Sequence, residues 1–467
     1  MNAPLFRRLV VDGSGRVGSP AEAWRDFIAS ERARLIDARP IDAVLNRPKE
    51  PGRREGLGKL GRRLFRDLAL YDRPRHPNVR LLHWPFLHEA ALGAHALYCW
   101  MRLGQEVARA HGRPVLAQAA DILRFAWTDG LDAQTYYMQE LYKPGAGARA
   151  AETLTRFETK NGLFSALKRL APRHKSGRAP LGDKLAFHAR CRRHHIPTVP
   201  VLLTAIGGEL SPLDAGLGAG GDLFVKPRRG KGARGTTLLT QVGRDLYLLP
   251  DGRRLSLDAY LAELARASHA TDYLVQPRLF NHPDIADLAT QSLIVIRVIT
   301  CLDAAGAPQV THSMLRVLGK LEPLWRDATE YGAPIDLETG RLGAMTGDRL
   351  AGALAWHDHH PATGAPVNGR HIAQWPAVRD AAIAAHRAFT DRILLGWDIA
   401  VTPQGIVIVE GNAVPDVAFL QRVHRQALGM SPLAPLLRHH LQRLTEGRTA
   451  PRPAPTSRSW RPQTWHR

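Results

Sequence analysis

Residues 395–412 read Leu395-Gly396-Trp397-Asp398-Ile399-Ala400-Val401-Thr402-Pro403-Gln404-Gly405-Ile406-Val407-Ile408-Val409-Glu410-Gly411-Asn412, two apolar runs about a turn, with acids and an amide near their far ends. Pro403 suits the second position of a type I turn, and Gly405 can take the left-handed conformation that closes a three-residue hairpin loop. That register sets Asp398 opposite Glu410, whereas a two-residue loop would set it opposite Val409 and send the carboxylates to opposite faces. Asn412, two residues beyond Glu410, falls on the same face by strand alternation. Two carboxylates and an amide oxygen suit a hard cation that also takes oxygens from a nucleotide's phosphates. The plainer alternative is an edge hairpin with solvated polar ends, but an apolar strand that ends Glu-Gly-Asn calls for a partner to its charge.

A second motif fits the same chemistry. Phe224-Val225-Lys226-Pro227 is a short strand leading into Arg228-Arg229-Gly230-Lys231-Gly232-Ala233-Arg234-Gly235, after which Thr236–Thr240 is strand again. The spacing of Gly230, Gly232 and Gly235 matches a dinucleotide fingerprint, but that loop must open a helix and this one opens a strand. A P-loop is excluded because no Lys-Ser/Thr pair follows the last glycine. A glycine hairpin folding its amides over phosphates fits, with Lys226 on the preceding strand to neutralise them; a simple turn is the alternative.

The hairpin resembles the end of the ATP-grasp fold, in which, as in the D-alanine:D-alanine ligases, an acid on one strand and a Glu-x-Asn on the next hold metal ions that bridge ATP phosphates. Asp398, Glu410 and Asn412 match those positions. With Gly396-Trp397-Asp398 and Pro415-Asp416, the pattern is closer still to the sugar-transfer-associated ATP-grasp family, predicted amide-forming ligases linked to polysaccharide synthesis. The resemblance runs from about Thr128 to Gly429. It implies an α/β (α+β) fold, with a helical N-terminal region followed by a two-subdomain ATP-grasp core. It implies ATP with Mg2+ or Mn2+ as cofactors, and Lys184, Lys226, Gly230, Gly232, Arg234 and Gly235 at the phosphates. Tyr273-Leu274-Val275-Gln276-Pro277 falls at the hinge that offers groups to adenine, through Val275 and Gln276; many relatives carry Glu where Gln276 stands.

Arg297 and Arg316 lie in apolar, strand-like runs and need anion partners. The resemblance supplies ATP phosphate or an acyl phosphate, which places both with Lys226 as catalytic residues; a structural salt bridge is the other reading, above all for Arg316. The ligase arginine two positions before the metal acid has no counterpart, since Gly396 is there, and its duty toward the acyl group passes by hypothesis to Arg297. The implied reaction is carboxylate activation and amide formation on an unidentified carboxylate or sugar-linked substrate, with pathway partners among glycosyltransferases. A kinase acting on a hydroxyl, or a nucleotide-binding protein without turnover, is the alternative.

The chain has 467 residues, 44% hydrophobic content and a formal charge of +21. Its length allows two or three packed units, and no uncharged apolar run is long enough to span a membrane. The N-terminus lacks a signal-peptide core, so a cytoplasmic enzyme is expected. Cys99, Cys191 and Cys301 are odd in number and far apart, which argues against a disulfide framework or cysteine-based zinc site. The positive charge attracts anions, which include nucleotides, acidic glycans, nucleic acid and an anionic membrane surface; nucleic acid is not favoured.

The chain divides into a basic extension (1–80), a helical region (81–180), a segment with the glycine loop (181–275), a segment with the metal hairpin (276–446) and a disordered basic tail (447–467). Within the extension, residues 57–71 alternate basic and apolar residues near helical spacing, as a helix packed on the body or lying on a membrane surface would. Asp183 is expected to cap a helix opening at Lys184. A helical stretch around Gln421–Leu444 closes the core. His83, His88 and His95 lack acidic company, and Trp356-His357-Asp358-His359-His360-Pro361 is read as a solvated or substrate-facing wall before it is read as a metal site.

Overall fold

The structure, a computed structural model, describes residues 85–129, 131–155, 159, 163–170, 181–217, 220–230, 235–289, 292–318, 330–348 and 355–449. The basic extension, its expected helix at 57–71, Gly232, Arg234 and the tail beyond Thr449 lie outside these residues.

Among the described residues six helices precede the sheets, the first five being α1 (Pro85–His111), α2 (Val115–Thr128), α3 (Ala133–Met138), α4 (Ala146–Glu152) and α5 (Phe164–Leu170). In their core Tyr136, Tyr137 and Tyr142 pack with Leu103, Val107 and Phe125. Two of the three phenols keep partners as they are buried: Tyr136 donates to Asp121 at 3.3 Å and Tyr137 to Gln118 at 3.0 Å.

Helix α6 (Lys184–Arg193) follows, and Asp183 caps it, accepting from Leu185 N and Ala186 N at 3.2 and 3.1 Å. The first sheet comprises β1 (Leu203–Ile206), β2 (Glu209–Pro212), β3 (Leu223–Pro227), β4 (Thr237–Gly243), β5 (Leu246–Leu248), β6 (Arg254–Ser256) and, after α7 (Leu257–Ser268), β7 (Tyr273–Pro277). Its order is β2-β1-β7-β3-β4-β5-β6, so the hinge strand β7 lies between β1 and β3. A short helix α8 (Pro283–Ala286) leads to the second sheet: β8 (Val295–Leu302), β9 (Pro308–Leu318), β10 (Glu330–Pro334), β11 (Thr346–Gly347) and, beyond α9 (Trp375–Ala388), β12 (Leu394–Thr402) and β13 (Gly405–Asn412). Here the order is β11-β10-β9-β8-β12-β13, with every pair antiparallel.

Strand alternation gives this second sheet two different faces. Ile296, Val298, Leu315, Trp397, Ile399 and Ile408 turn to a core shared with α9 and α6, while Arg297, Asp398 and Glu410 take the opposite face. Part of that polar face is covered by α10 (Val417–Val423) and α11 (Leu433–Thr449), which pack on Ile299, Cys301 and Met314. The closing helical stretch is therefore not continuous: Arg425 at φ +50° ends α10, and a 3-10 turn at Leu428–Met430 intervenes. Helix α11 runs to Thr449. The segment before β1 touches the rim of β13, where Ile408 N donates to Pro197 O at 2.9 Å and Thr198 Oγ1 to Ile408 O at 3.2 Å.

All three cysteines are buried and none is in a disulfide. Among the described residues no helix is long and apolar enough to cross a membrane.

Candidate nucleotide and metal site

Asp398 does lie opposite Glu410, but the turn that produces this is not the expected one. Thr402 pairs with Gly405, leaving only Pro403 and Gln404 in the loop. That two-residue loop alone would set Asp398 against Val409. A bulge corrects it: Ile399 pairs with Ile408 and Asp398 with Glu410, so Val409 has no residue opposite. The polar trio converges as a result, with Asn412 Nδ2 3.3 Å from Asp398 Oδ2 and 3.2 Å from Glu410 Oε1.

Two guanidinium groups face this trio. Arg297, directly opposite Asp398, donates through Nε to Oδ1 and through Nη2 to Oδ2 at 2.7 Å. Arg316 bonds Glu330 and reaches Asp398 with Nη1 at 3.3 Å. Arg297 thus has the proposed metal ligand itself as its anion within the chain, while Arg316 is shared between Glu330 and Asp398. Burial alone would raise the Asp398 carboxyl, but Arg297 and Arg316 outweigh it and hold it below the usual carboxylate range. Glu410 goes the other way, pushed up by burial and by the neighbouring Asp398 charge.

Gly396 explains how Arg297 gets there. A Cβ at Gly396 would stand 2.9 Å from Pro415 Cβ and 3.3 Å from Arg297 Cδ, so the arginine stem and the proline fill the space where a side chain would be. The position that carries arginine in the ligases is closed here, and Arg297 comes in from the next strand.

One lysine comes from the first sheet and the other from the helix before it. Lys226 on β3 is buried, and burial together with the nearby Lys184 charge brings it down to about 8, against the pull of Glu410. Lys184 is held by the start of α6, with Nζ 3.2 Å from Gly230 O. Asp183 fixes that end twice, as a helix cap and as the partner of Arg228 at 2.8 Å and Arg229 at 3.1 Å. Gly230 (φ +144°) and Gly235 (φ +71°) both need the freedom of glycine, and a Cβ at Gly235 would lie 3.1 Å from Pro227. The loop joins strand to strand, which removes the dinucleotide-fold reading.

The hinge residues are placed less openly. Val275 is buried in the core of the first sheet, and the Gln276 amide donates to Val199 O at 3.3 Å. Trp356–Pro361 forms a wall beside β10 and β11: His357 exchanges backbone hydrogen bonds with Met345 at 2.8 Å, and His357 and His360 both meet the Tyr331 ring, at 6.0 and 5.9 Å. Among the described residues no group of three or more His, Cys, Asp or Glu could hold a metal, so the candidate set is the mixed trio with its amide. Sequence reasoning missed Glu330, whose signal was an arginine-bearing strand, and it missed the pairing of Asp183 with Arg228 and Arg229.

Two antiparallel sheets, lysines on β3 and at the start of α6, and paired carboxylates on β12 and β13 define an ATP-grasp protein. The sequence profile described as sugar-transfer associated ATP-grasp matches residues 168–431, more than half of the chain, and the chain belongs to that family. No curated protein matches it. Among solved structures it is similar to the ATP-grasp ligase PsnB complexed with minimal precursor, at 18% identity and TM-score 0.32 over 56% of this chain and 60% of that one. It is also similar to D-alanine–D-alanine ligase from Bacillus anthracis complexed with ATP, at 12% identity and TM-score 0.33 over 57% of this chain and 68% of that one. A third is VanG D-Ala:D-Ser ligase from Enterococcus faecalis, at 16% identity and TM-score 0.33 over 60% and 63%. The chain thus spans less than two thirds of the length of the first of these.

Proposed function

We propose that this protein is an ATP-dependent carboxylate–amine ligase that works through an acyl phosphate. The observation that carries the reading is the meeting of Asp398, Glu410 and Asn412 on one sheet with Lys226 from the other and Lys184 from the start of α6, each lysine feeling the Glu410 charge.

The donor set fits Mg2+ or Mn2+, since two close carboxylates, one of them pushed up by the other, leave negative charge for a hard cation to balance. Asp398, Glu410 and Asn412 would hold it, with the Asn412 amide turned to present its oxygen. When bound, the metal neutralises phosphate charge. Lys226 and Lys184 do the same from the other side, and the glycine loop between β3 and β4 offers backbone amides. The end of β7, at Val275 and Gln276, is the proposed adenine edge. A substrate carboxylate oxygen attacks the γ-phosphorus while the bond to the ADP oxygen breaks; an amine then attacks the acyl carbon, phosphate leaves, and the amine loses a proton. Arg297 and Arg316 face this space and are suited to the phosphoryl oxygens.

The family's description supports a glycan-linked acid or amine as substrate, and the need for ATP supports a cytoplasmic location. Hydroxylamine tests the reaction. With a panel of candidate acids, a ligase yields a hydroxamate and ADP in step. ADP together with a stable phosphorylated alcohol and no hydroxamate would replace the ligase with a kinase.

A further inference from the structure

Glu140 lies outside the residues matched by the family profile, yet it sits in the grip that the helical region exerts on α10. Gln139 Nε2 donates to Ala418 O at 3.2 Å, and the Gln421 amide is held by Leu154, accepting from its N at 3.0 Å and donating to its O at 2.8 Å. Between these contacts the Glu140 carboxylate stands 3.2 Å from Arg422 Nη1 and accepts the Trp356 indole N–H at 2.7 Å.

Arg422 is 1% exposed, so Glu140 supplies the charge that makes its burial tolerable. Its other amino group donates to Thr346 Oγ1 at 3.0 Å, and its guanidinium lies 4.5 Å from the Trp356 ring, which Arg425 also covers at 3.6 Å. Backbone strain marks both ends of the clasp. Glu140 has φ +51° and Arg425 φ +50°, a region in which side chains are held only when their surroundings insist.

The gripped helix leads straight to the site. Ala413–Asp416 is all that separates α10 from Asn412, and Pro415 in that link lies against Gly396, two residues from Asp398. Farther along, Val423 and Phe419 close on Gly332, where a Cβ would be 2.7 and 3.0 Å from them; Gly332 is the residue paired with Arg316.

We propose that Glu140, acting through Arg422, is a positioning residue for the nucleotide–metal site: it seats α10 on the sheet so that the link from Asn412 keeps the amide against Asp398 and Glu410. This rests on the metal–nucleotide reading above. The readout is the metal increment, the ratio of ATP dissociation constants measured by calorimetry in EDTA and in Mg2+. Glu140→Gln and Arg422→Met each lower that ratio about tenfold, as loss of a supporting shell does, while ATP binding in EDTA holds. Arg422→Lys restores part of it. Trp356→Phe, a milder change, gives a smaller loss in the same direction if Arg422→Met fails to fold. Leu103→Ala, in the core of the helical region, lowers Tm but leaves the ratio intact. An unchanged ratio in Glu140→Gln, or an equal fall in Leu103→Ala, overturns the inference. No increment in the unaltered chain removes the metal reading itself, and this inference with it.

Discussion

Arg297 and Asp398 face each other across the β8–β12 pair, and the guanidinium forks onto both carboxylate oxygens, with Nη2 2.7 Å from Oδ2. The proposed metal ligand is therefore also the counterion of a buried arginine. Asp398→Asn leaves Arg297 without its charge and is expected to cost about 3–5 kcal/mol of stability, the range for breaking a buried pair. Glu410→Gln removes a carboxylate that its surroundings already disfavour, so it leaves stability unchanged or slightly raised. Both abolish the Mg2+ effect on ATP binding. Urea unfolding alongside ATP titration separates the two roles; equal stability losses would show that Glu410 also holds the fold.

Lys226 gives a pH dependence with a definite sign. Its folded value of about 8 is below the ordinary 10.5, so between these the unfolded chain holds more protons and this group makes stability rise with pH. Bound phosphates draw the lysine back to its charged form. ATP binding above pH 8 should therefore take up a proton that binding at pH 6.5 does not, seen as a dependence of the calorimetric heat on the buffer's ionisation enthalpy. Lys226→Met should abolish that dependence.

Two glycines of the hairpin should behave differently. Gly396→Ala drives a methyl to within 2.9 Å of Pro415 and 3.3 Å of the Arg297 stem. Overpacking of this kind costs about 1–3 kcal/mol, and here it also displaces Arg297, so stability and ATP turnover fall together. Gly405 at φ +117° has nothing within 4 Å of an added Cβ. Gly405→Ala should cost about 1–2 kcal/mol of backbone strain while leaving ATP affinity alone. Tm and ATP titration on both variants check this.

The hairpin could be read from sequence because its ligands are close in the chain and strand alternation fixes their face. Its turn could not, since whether the extra residue sits in the loop or as a bulge at Val409 depends on how β12 and β13 pair with their neighbours. Lys184 and Lys226 were legible from their motifs, while the crossing of Arg297 into the space above Gly396 needed the register of three strands. Glu330 lies on the strand after Arg316 but pairs with it only through the β9–β10 register. The Glu140–Arg422 contact joins positions far apart in sequence, and only the buried arginine within the apolar run Val417–Val423 hinted that a partner existed.

The contact of Pro197 and Thr198 with Ile408 has one more consequence. Strand β13 ends the order of its sheet, and such a border offers unpaired amides and carbonyls that can recruit a strand from another molecule. Here the Ile408 amide is taken by Pro197, and its carbonyl by the Thr198 hydroxyl, while a proline beside the border has no N–H to continue a ladder. The segment that leads into the first sheet thereby shields the strand bearing Glu410 and Asn412 from intermolecular pairing, so a cut near residue 197 would expose a self-association surface beside the proposed metal site.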